Sequence, residues 1–317
     1  MYHRVNELTC DPWQLAVSPA HFEEQLRVIQ REWNPVSLTE LTQSVLTGSV
    51  PDRSVALTFD DGYIDNYNQA KPLLEKYSIP ATFFITTKNC ERQRPFWWDE
   101  LQTILLETAQ LPEQMSLTVD GKKLDYTLKD EATLTALLGA KHRAWVADAA
   151  PPTERSAVYL ALWQRLRPLT DGEQQRVMDQ LRRLAGHTAS IPPDLICMTP
   201  THLRELVENP LFSLGAHSVS HAALADQSAA RQRREIIGSK SYLEKLTNSP
   251  ILCFAYPYGY YNDATLMAIG NAGFKISVAT HAGTVTKQSD NLRLNRCQVN
   301  DWTGSEFSRW LCKQYYN

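Results

Sequence analysis

Apolar positions along the chain switch between two periods. Leu26, Ile29 and Trp33 recur at three- and four-residue spacing, which predicts an amphipathic helix over His21–Trp33. Ser18 suits its N-cap and Pro19 its first helical position. Thr39–Leu46 reads as a second short helix, started near Ser37. Ser54–Phe59 is then a short run of strand formers that stops at Asp60-Asp61-Gly62. A helix over Asn66–Tyr77 and a strand over Ala81–Thr86 follow. Strand, helix and strand in that order are the rhythm of a parallel sheet. Met1–Val5 is a stub able to pair as a short strand.

The rhythm stops near Cys90 and resumes after Thr199. Between them the periodicity predicts helices over Trp98–Ala109, Glu131–Ala147, Ser156–Arg167 and Asp171–Leu184. A hairpin over Leu117–Leu128 turns on Asp120-Gly121, and Pro151-Pro152 and Pro192-Pro193 punctuate the segment. Residues 90–199 are therefore expected to form a mainly helical insertion in a body made of 1–89 and 200–317. In the body, helices are expected over Thr201–Glu208, Ala229–Leu246, Asp263–Ala272 and Glu306–Tyr315. Strands are expected over Phe212–Ala216, Ile251–Ala255 and Ile276–Ala279, with Gly273 closing the helix before the last of these.

Composition narrows the class. A chain of 317 residues with 43% hydrophobic and 21% charged residues is globular, not low-complexity or collagen-like. Its length suits one barrel-sized domain or two ordinary ones. A net charge of −3 leaves no basic footprint, so no nucleic-acid partner is expected. No apolar run is long enough to span a bilayer, and no signal-peptide core follows Met1. As written, the chain is expected in the cytoplasm; an upstream start would make a periplasmic or envelope location the expectation. The six cysteines form no C-x-x-C pair and are expected as buried free thiols. Oligomeric state is left open.

Polar residues gather where strands end. Asp60 and Asp61 follow one strand, His217 and His221 another, and Tyr256–Gly259 a third. In parallel α/β folds, catalytic groups collect at the carboxyl ends of strands. Two histidines four apart can share one side of a helical turn and offer two nitrogens to a metal, although such pairs also merely cap or pack. Two adjacent carboxylates repel unless a cation or a proton lies between them. A helix N-terminus accounts for one such Asp better than for two. Two imidazoles and one carboxylate make an open metal site, and the second carboxylate is then free to act as a base.

Three segments carry a family resemblance. T-F-D-D-G-Y (Thr58–Tyr63), H-S-V-S-H (His217–His221) and F-A-Y-P-Y-G (Phe254–Gly259) resemble, in order, the first three motifs of the polysaccharide deacetylase family with its NodB-homology fold. The resemblance covers about 1–89 and 200–317. It implies an α/β fold, a distorted (β/α) barrel, and a divalent metal, most commonly Zn, with Co, Ni or Fe compatible with the donors. It implies removal of N-acetyl, and sometimes O-acetyl, groups from sugars. Asp61, His217 and His221 would bind the metal and Asp60 would be the general base. The Tyr258 N–H would stabilise the oxyanion, and Tyr63, Tyr256 and Pro257 would meet the substrate.

The sequence departs from the family pattern twice. The arginine of the third motif is replaced by Ala255, so Arg293 or Arg296 must supply that charge, with Arg296 the assignment. The late acid histidine is absent, and the last histidine in the chain is His281. Tyr2-His3-Arg4, however, resembles the N-terminal Tyr-His motif of the subgroup that deacetylates biofilm poly-N-acetylglucosamine. That implies His3 as the general acid, with His281 as runner-up. Members of that subgroup usually carry apolar strand residues before this motif, and Met1 takes their place here.

Two features of the remaining chain admit two readings each. Phe96-Trp97-Trp98-Asp99 would give a sugar-stacking platform, with Trp98 as the contact, or a hydrophobic plug. Arg231, Arg233 and Arg234 would bind a phosphate or form a solvated face. The expected function is a metal-dependent hydrolase that removes an N-acetyl group from an amino sugar of a bacterial polysaccharide or glycoconjugate. The alternatives are an O-acetyl esterase or deformylase on a lipid- or nucleotide-linked sugar, and a glycan-binding module without turnover.

Overall fold

The computed structural model describes residues 1–186 and 193–316; Pro192 of the Pro192-Pro193 pair lies outside the described residues. The chain divides into two compact units. One comprises Met1–Glu7, Leu15–Gln93 and Cys197–Asn317, and the other comprises Leu8–Gln14 and Arg94–Ile196. The segment Leu8–Gln14 was expected with the barrel. It belongs to the second unit because its carbonyls are used there: Ala147 N–H donates to Pro12 O at 2.7 Å and the Gln102 amide to Cys10 O at 2.8 Å.

The first unit is built on a parallel sheet of five strands in the order Ile276–Val278, Cys253–Ala255, Phe212–Ala216, Ala81–Ile85, Leu57–Phe59. These strands are buried almost end to end, as a parallel sheet covered on both faces requires. Backbone hydrogen bonds continue past both edges. Tyr2 N–H donates to Thr58 O at 2.8 Å and Asp60 N–H to Tyr2 O at 3.0 Å. At the far edge Leu294 N–H donates to Ser277 O at 2.9 Å and Ala279 N–H to Leu294 O at 2.8 Å. The two extensions meet, because the Met1 nitrogen donates to Cys297 O at 2.9 Å and Val299 N–H to Met1 O at 3.0 Å. The ladder thus closes into the expected distorted (β/α) barrel, which leaves few strand edges exposed.

Strand alternation sorts the side chains. Tyr2, Phe59 and Phe83 stand in adjacent register on the outer face, with ring centroids 5.2 Å and 4.9 Å apart in stacked pairs. The helix Pro19–Glu32 lays Phe22 edge-on against Tyr2 and Phe59, and its Gln25 accepts the Tyr2 hydroxyl at 3.0 Å. Because successive residues of a strand face opposite ways, Thr58, Asp60 and Phe84 point to the barrel interior. Asp60 is therefore aimed inward by the same pattern that packs the aromatics outward.

Several elements begin where the sequence says they should. Ser18 caps Pro19–Glu32, and Ser37 with Glu40 forms a capping box at Leu38–Thr47. Others differ. Ser54–Phe59 splits into Ser54–Val55, paired with Asn34–Pro35, and Leu57–Phe59 in the main sheet. The helix over Asn66–Tyr77 opens with a wide turn, Asn66–Ala70, before Lys71–Tyr77, since Pro72 has no N–H for an ordinary helical bond. Glu131–Ala147 shortens to Ala136–Ala144. All six cysteines are free; Cys10, Cys90, Cys197 and Cys253 are buried, while Cys297 and Cys312 are only half-buried. Among the described residues no helix is long and apolar enough to cross a membrane.

In the second unit the hairpin Gln114–Val119 and Lys122–Thr127 turns on Asp120 and Gly121, both left-handed at φ 49° and 70°. The buried Arg155 guanidinium holds this unit's irregular segments. It donates to the carbonyls of Thr108 at 2.7 Å, Glu131 at 2.6 Å, Ala132 at 2.6 Å and Leu105 at 3.3 Å.

The sheet tolerates no side chain at Gly215, where a Cβ would lie 2.4 Å from the Phe84 ring. Gly215→Ala is expected to lower stability by about 1–3 kcal/mol. A fall in the urea midpoint with unchanged slope checks this; an unchanged midpoint would contradict it.

Candidate metal centre

The site lies where the strands of the first unit end. Asp60 and Asp61 follow Leu57–Phe59, His217 follows Phe212–Ala216, and Tyr256 follows Cys253–Ala255. The backbone around it is unusual. Asp61, Ser218, His221 and Tyr258 are all left-handed, at φ 72°, 63°, 55° and 58°. Each such non-glycine residue costs roughly 1–3 kcal/mol, and strain of this kind collects at functional sites. The histidine pair was expected on a helical turn. It sits instead on an irregular turn, since the left-handed Ser218 and His221 cannot belong to a helix.

Asp61, His217 and His221 converge. Asp61 Oδ1 is 3.2 Å from His221 Nε2 and 3.5 Å from His217 Nε2, and all three side chains are buried. One donor atom from each lies within 4.8 Å of the others. His217 Nδ1 is 2.8 Å from the Ala255 carbonyl, which places the proton on Nδ1 and leaves the Nε2 lone pair facing Asp61. Asp61 Oδ1 is buried and accepts no well-formed hydrogen bond. A buried carboxylate oxygen facing two imidazole nitrogens in this way fits a divalent cation.

The titration behaviour follows from this crowding. Burial would raise the Asp61 pKa, but His221 and His217 outweigh it and hold the carboxyl well below the usual range. Burial lowers His221, and the carboxylates do not offset it. For His217 the same burial is outweighed by Asp61, Asp60 and the Ala255 carbonyl, and its pKa rises.

Asp60 has a different partner. Arg296 Nη1 and Nη2 each lie 2.7 Å from one of its carboxylate oxygens. The guanidinium is itself fixed, by Nε to Ala279 O at 3.0 Å and Nη1 to Thr58 Oγ1 at 3.0 Å, with its carbon 5.4 Å from the Phe84 ring centre. Burial would raise the Asp60 pKa, but the charge and hydrogen bonds of Arg296 outweigh it and keep the pKa below the usual range. Arg293 takes no part; it is half-exposed and pairs with Asp290 at 2.9 Å.

His3 is half-buried beside both carboxylates. Burial lowers its pKa, opposed by Asp61 and Asp60, and its Nδ1 is buried without a hydrogen-bond partner. Three residues that sequence reasoning missed hold its segment. Arg4 Nε donates to Asp65 Oδ2 at 2.8 Å, Val5 N–H to Asp65 Oδ1 at 3.1 Å, and the Asn66 amide to His3 O at 2.9 Å. No local pattern signals these contacts, because they join residues some 60 positions apart. His281 is exposed, and its ring lies edge-on to Tyr261.

The remaining expected residues are walls more than open contacts. Tyr63 is fully buried under Arg4, and Tyr256 is fully buried with its hydroxyl donating to Leu292 O at 2.7 Å. Pro257 is buried. Tyr258 is half-buried with its ring edge-on to His221 at 4.5 Å. Gly259, at φ 71°, follows it because a Cβ there would lie 2.0 Å from Thr280 Oγ1. Trp98 belongs to the second unit, where it stacks on Phe96 at 4.3 Å and is 7% exposed. Arg233 and Arg234 are solvated, and Arg231 turns toward Glu235 at 3.6 Å.

Known proteins share this arrangement of elements. The chain is 21% identical over 261 residues to the Bacillus subtilis protein YxkH, spanning 82% of this chain and 57% of YxkH. It is 38% identical over 73 residues to the poly-β-1,6-N-acetyl-D-glucosamine N-deacetylase of Staphylococcus aureus, spanning 23% of this chain and 25% of that protein. The chain thus matches little more than half the length of the first of these relatives and a quarter of the second. The solved structure of the Streptococcus pyogenes deacetylase PplD in complex with acetate has the same fold. Its TM-score is 0.56 at 22% identity, covering 99% of this chain and 96% of that one. The family model for polysaccharide deacetylase matches residues 47–116 and 178–277, somewhat over half of the sequence, and the chain belongs to that family.

Proposed function

We propose that this protein is a metal-dependent N-deacetylase acting on an amino sugar of a bacterial polysaccharide or glycoconjugate. The observation that carries the reading is the pairing of two buried carboxylates with different partners, Asp61 with two imidazoles and Asp60 with Arg296. A divalent ion, Zn first and Co, Ni or Fe after it, would be held by Asp61, His217 and His221 and would supply a Lewis acid that acidifies water and polarises the acyl carbonyl. Asp60, kept ionised by Arg296, takes the proton from the attacking water. The Tyr258 N–H is the donor to the carbonyl oxygen as it gains charge. His3 gives a proton to the departing amine nitrogen, without which an amide is a poor substrate. The new C–O bond forms first, placing charge on the carbonyl oxygen, and the C–N bond breaks once the nitrogen is protonated, leaving acetate and a free amino sugar. A binding module has no use for a carboxylate held ionised beside a cation cradle, which favours turnover. The name of the Staphylococcus aureus relative supports an N-acetylglucosamine polymer as substrate.

Acetate release from N-acetylglucosamine oligomers, nucleotide-sugars and an acetyl ester tests this. Metal-replete protein is expected to release acetate, and metal-stripped protein is not. Asp60→Asn is expected to lose about 10²–10⁴-fold in kcat. Release that persists without metal, or in Asp60→Asn, would refute the mechanism.

The acid side of the pH profile carries a second expectation. A base acts only when ionised, and Arg296 holds Asp60 below the usual carboxylate range. So, with metal kept saturating against proton competition at His217 and His221, kcat/KM stays high well into acid before it falls. In Arg296→Ala the main counterweight to burial is gone and only His217 and His3 still oppose it, so the Asp60 pKa rises and the acid limb moves to higher pH. A limb in the same place in both proteins would contradict the assignment of Asp60 as the base.

A further inference from the structure

The turn that carries both imidazoles bends twice through the left-handed region, at Ser218 and His221. It belongs to no regular element, so it needs support from outside. Its acceptors are met by the start of the helix Thr87–Arg92. Thr87 N–H donates to Ser218 O at 3.3 Å and Lys88 N–H to Val219 O at 2.9 Å. Donors of the two residues between Ser218 and His221 converge on one side chain. Glu235 Oε2 accepts Val219 N–H at 3.0 Å and Ser220 N–H at 2.8 Å, and Glu235 Oε1 accepts the Ser220 hydroxyl at 2.8 Å.

Glu235 stands on the helix Ala229–Thr247 and is 7% exposed, so its carboxylate is committed to the turn. Arg231, one helical turn earlier, lies 3.6 Å from Oε1 and offsets the charge. Three donors met by two charged oxygens fix the orientation of the peptide units between His217 and His221. The spacing of the two ring nitrogens is set by those peptide units.

We infer that Glu235 is a positioning residue for the His217–His221 pair, holding the turn in the shape that presents both nitrogens to one cation. This rests on the metal site proposed above. A carboxylate suits this role best. Glutamine keeps one acceptor oxygen for the two N–H groups, presents an N–H₂ group to Ser220, whose hydroxyl must reverse to accept it, and loses the charge that Arg231 balances. Groups that orient metal ligands from behind typically change affinity about 10–100-fold when altered.

Co²⁺ is the probe, because it reports both affinity and ligand geometry through its visible absorption. Wild type, Glu235→Gln, Ser220→Ala and Tyr242→Phe would be titrated with chelator-buffered Co²⁺, and the urea midpoint of each metal-free protein measured. Tyr242→Phe removes a hydrogen bond from the same helix to Glu91 and leaves the turn alone. The expected result is about 10–100-fold weaker Co²⁺ binding and an altered spectrum in Glu235→Gln. Ser220→Ala should show a smaller loss, and Tyr242→Phe none. Ser220→Ala carries the test by itself if Glu235→Gln does not fold. A purely structural role would move the urea midpoint and leave the affinity and spectrum of the folded protein alone, and that result would overturn the inference. Wild-type protein that binds no Co²⁺ would overturn the metal site itself, and the role of Glu235 with it.

Discussion

Two adjacent carboxylates buried at the end of one strand set the conditions for everything around them. Left alone, Asp60 and Asp61 would repel each other and resist ionisation in the interior. The fold answers each separately. Arg296 grips Asp60 through both oxygens, and the two imidazoles face Asp61. Arg296 reaches Asp60 across the seam where Met1 meets Cys297 and Val299, so this part of the charge balance exists only when the barrel is closed. Breaking such a buried pair by removing one partner is strongly destabilising, which ties stability to the arrangement of the site.

The aromatic packing serves the same end. Tyr2, Phe59 and Phe83 face the helix Pro19–Glu32, and that choice leaves Thr58, Asp60 and Phe84 no direction but inward. Arg296 then finds Thr58, Asp60 and the Phe84 ring on one surface. A slip of one residue in the register of the Leu57–Phe59 strand would bury its aromatic ring in the site and turn Asp60 to the outside. Hydrophobic packing on one face therefore decides electrostatics on the other.

Rigidity at the strand ends has an evident source. Left-handed residues at Asp61, Ser218, His221 and Tyr258 are costly, and such residues persist only where their surroundings over-determine them. The Ala255 carbonyl fixes the His217 ring, and Glu235 and the start of Thr87–Arg92 fix the turn beyond it.

The alternation of short apolar runs with amphipathic helices was legible in the sequence and implies a parallel α/β body. Motif residues at strand ends pointed to Asp60, Asp61, His217 and His221, because polar side chains at those places have few structural reasons to be there. The expected insertion was read from the point where the strand–helix rhythm stops, and no such signal marks Leu8–Gln14 as part of the second compact unit. What the chain could not declare was which distant groups would meet. Arg293 and Arg296 look alike in sequence, yet only Arg296 lies on the inward side of the last extended segment and reaches Asp60. Arg4, Asp65 and Glu235 carry no local signal, since each acts through a partner far away or on a neighbouring element. Local pattern is set by the period of the backbone, which any short stretch of sequence displays. Long-range charge pairing is set by closure of the barrel, and only the tertiary structure decides it.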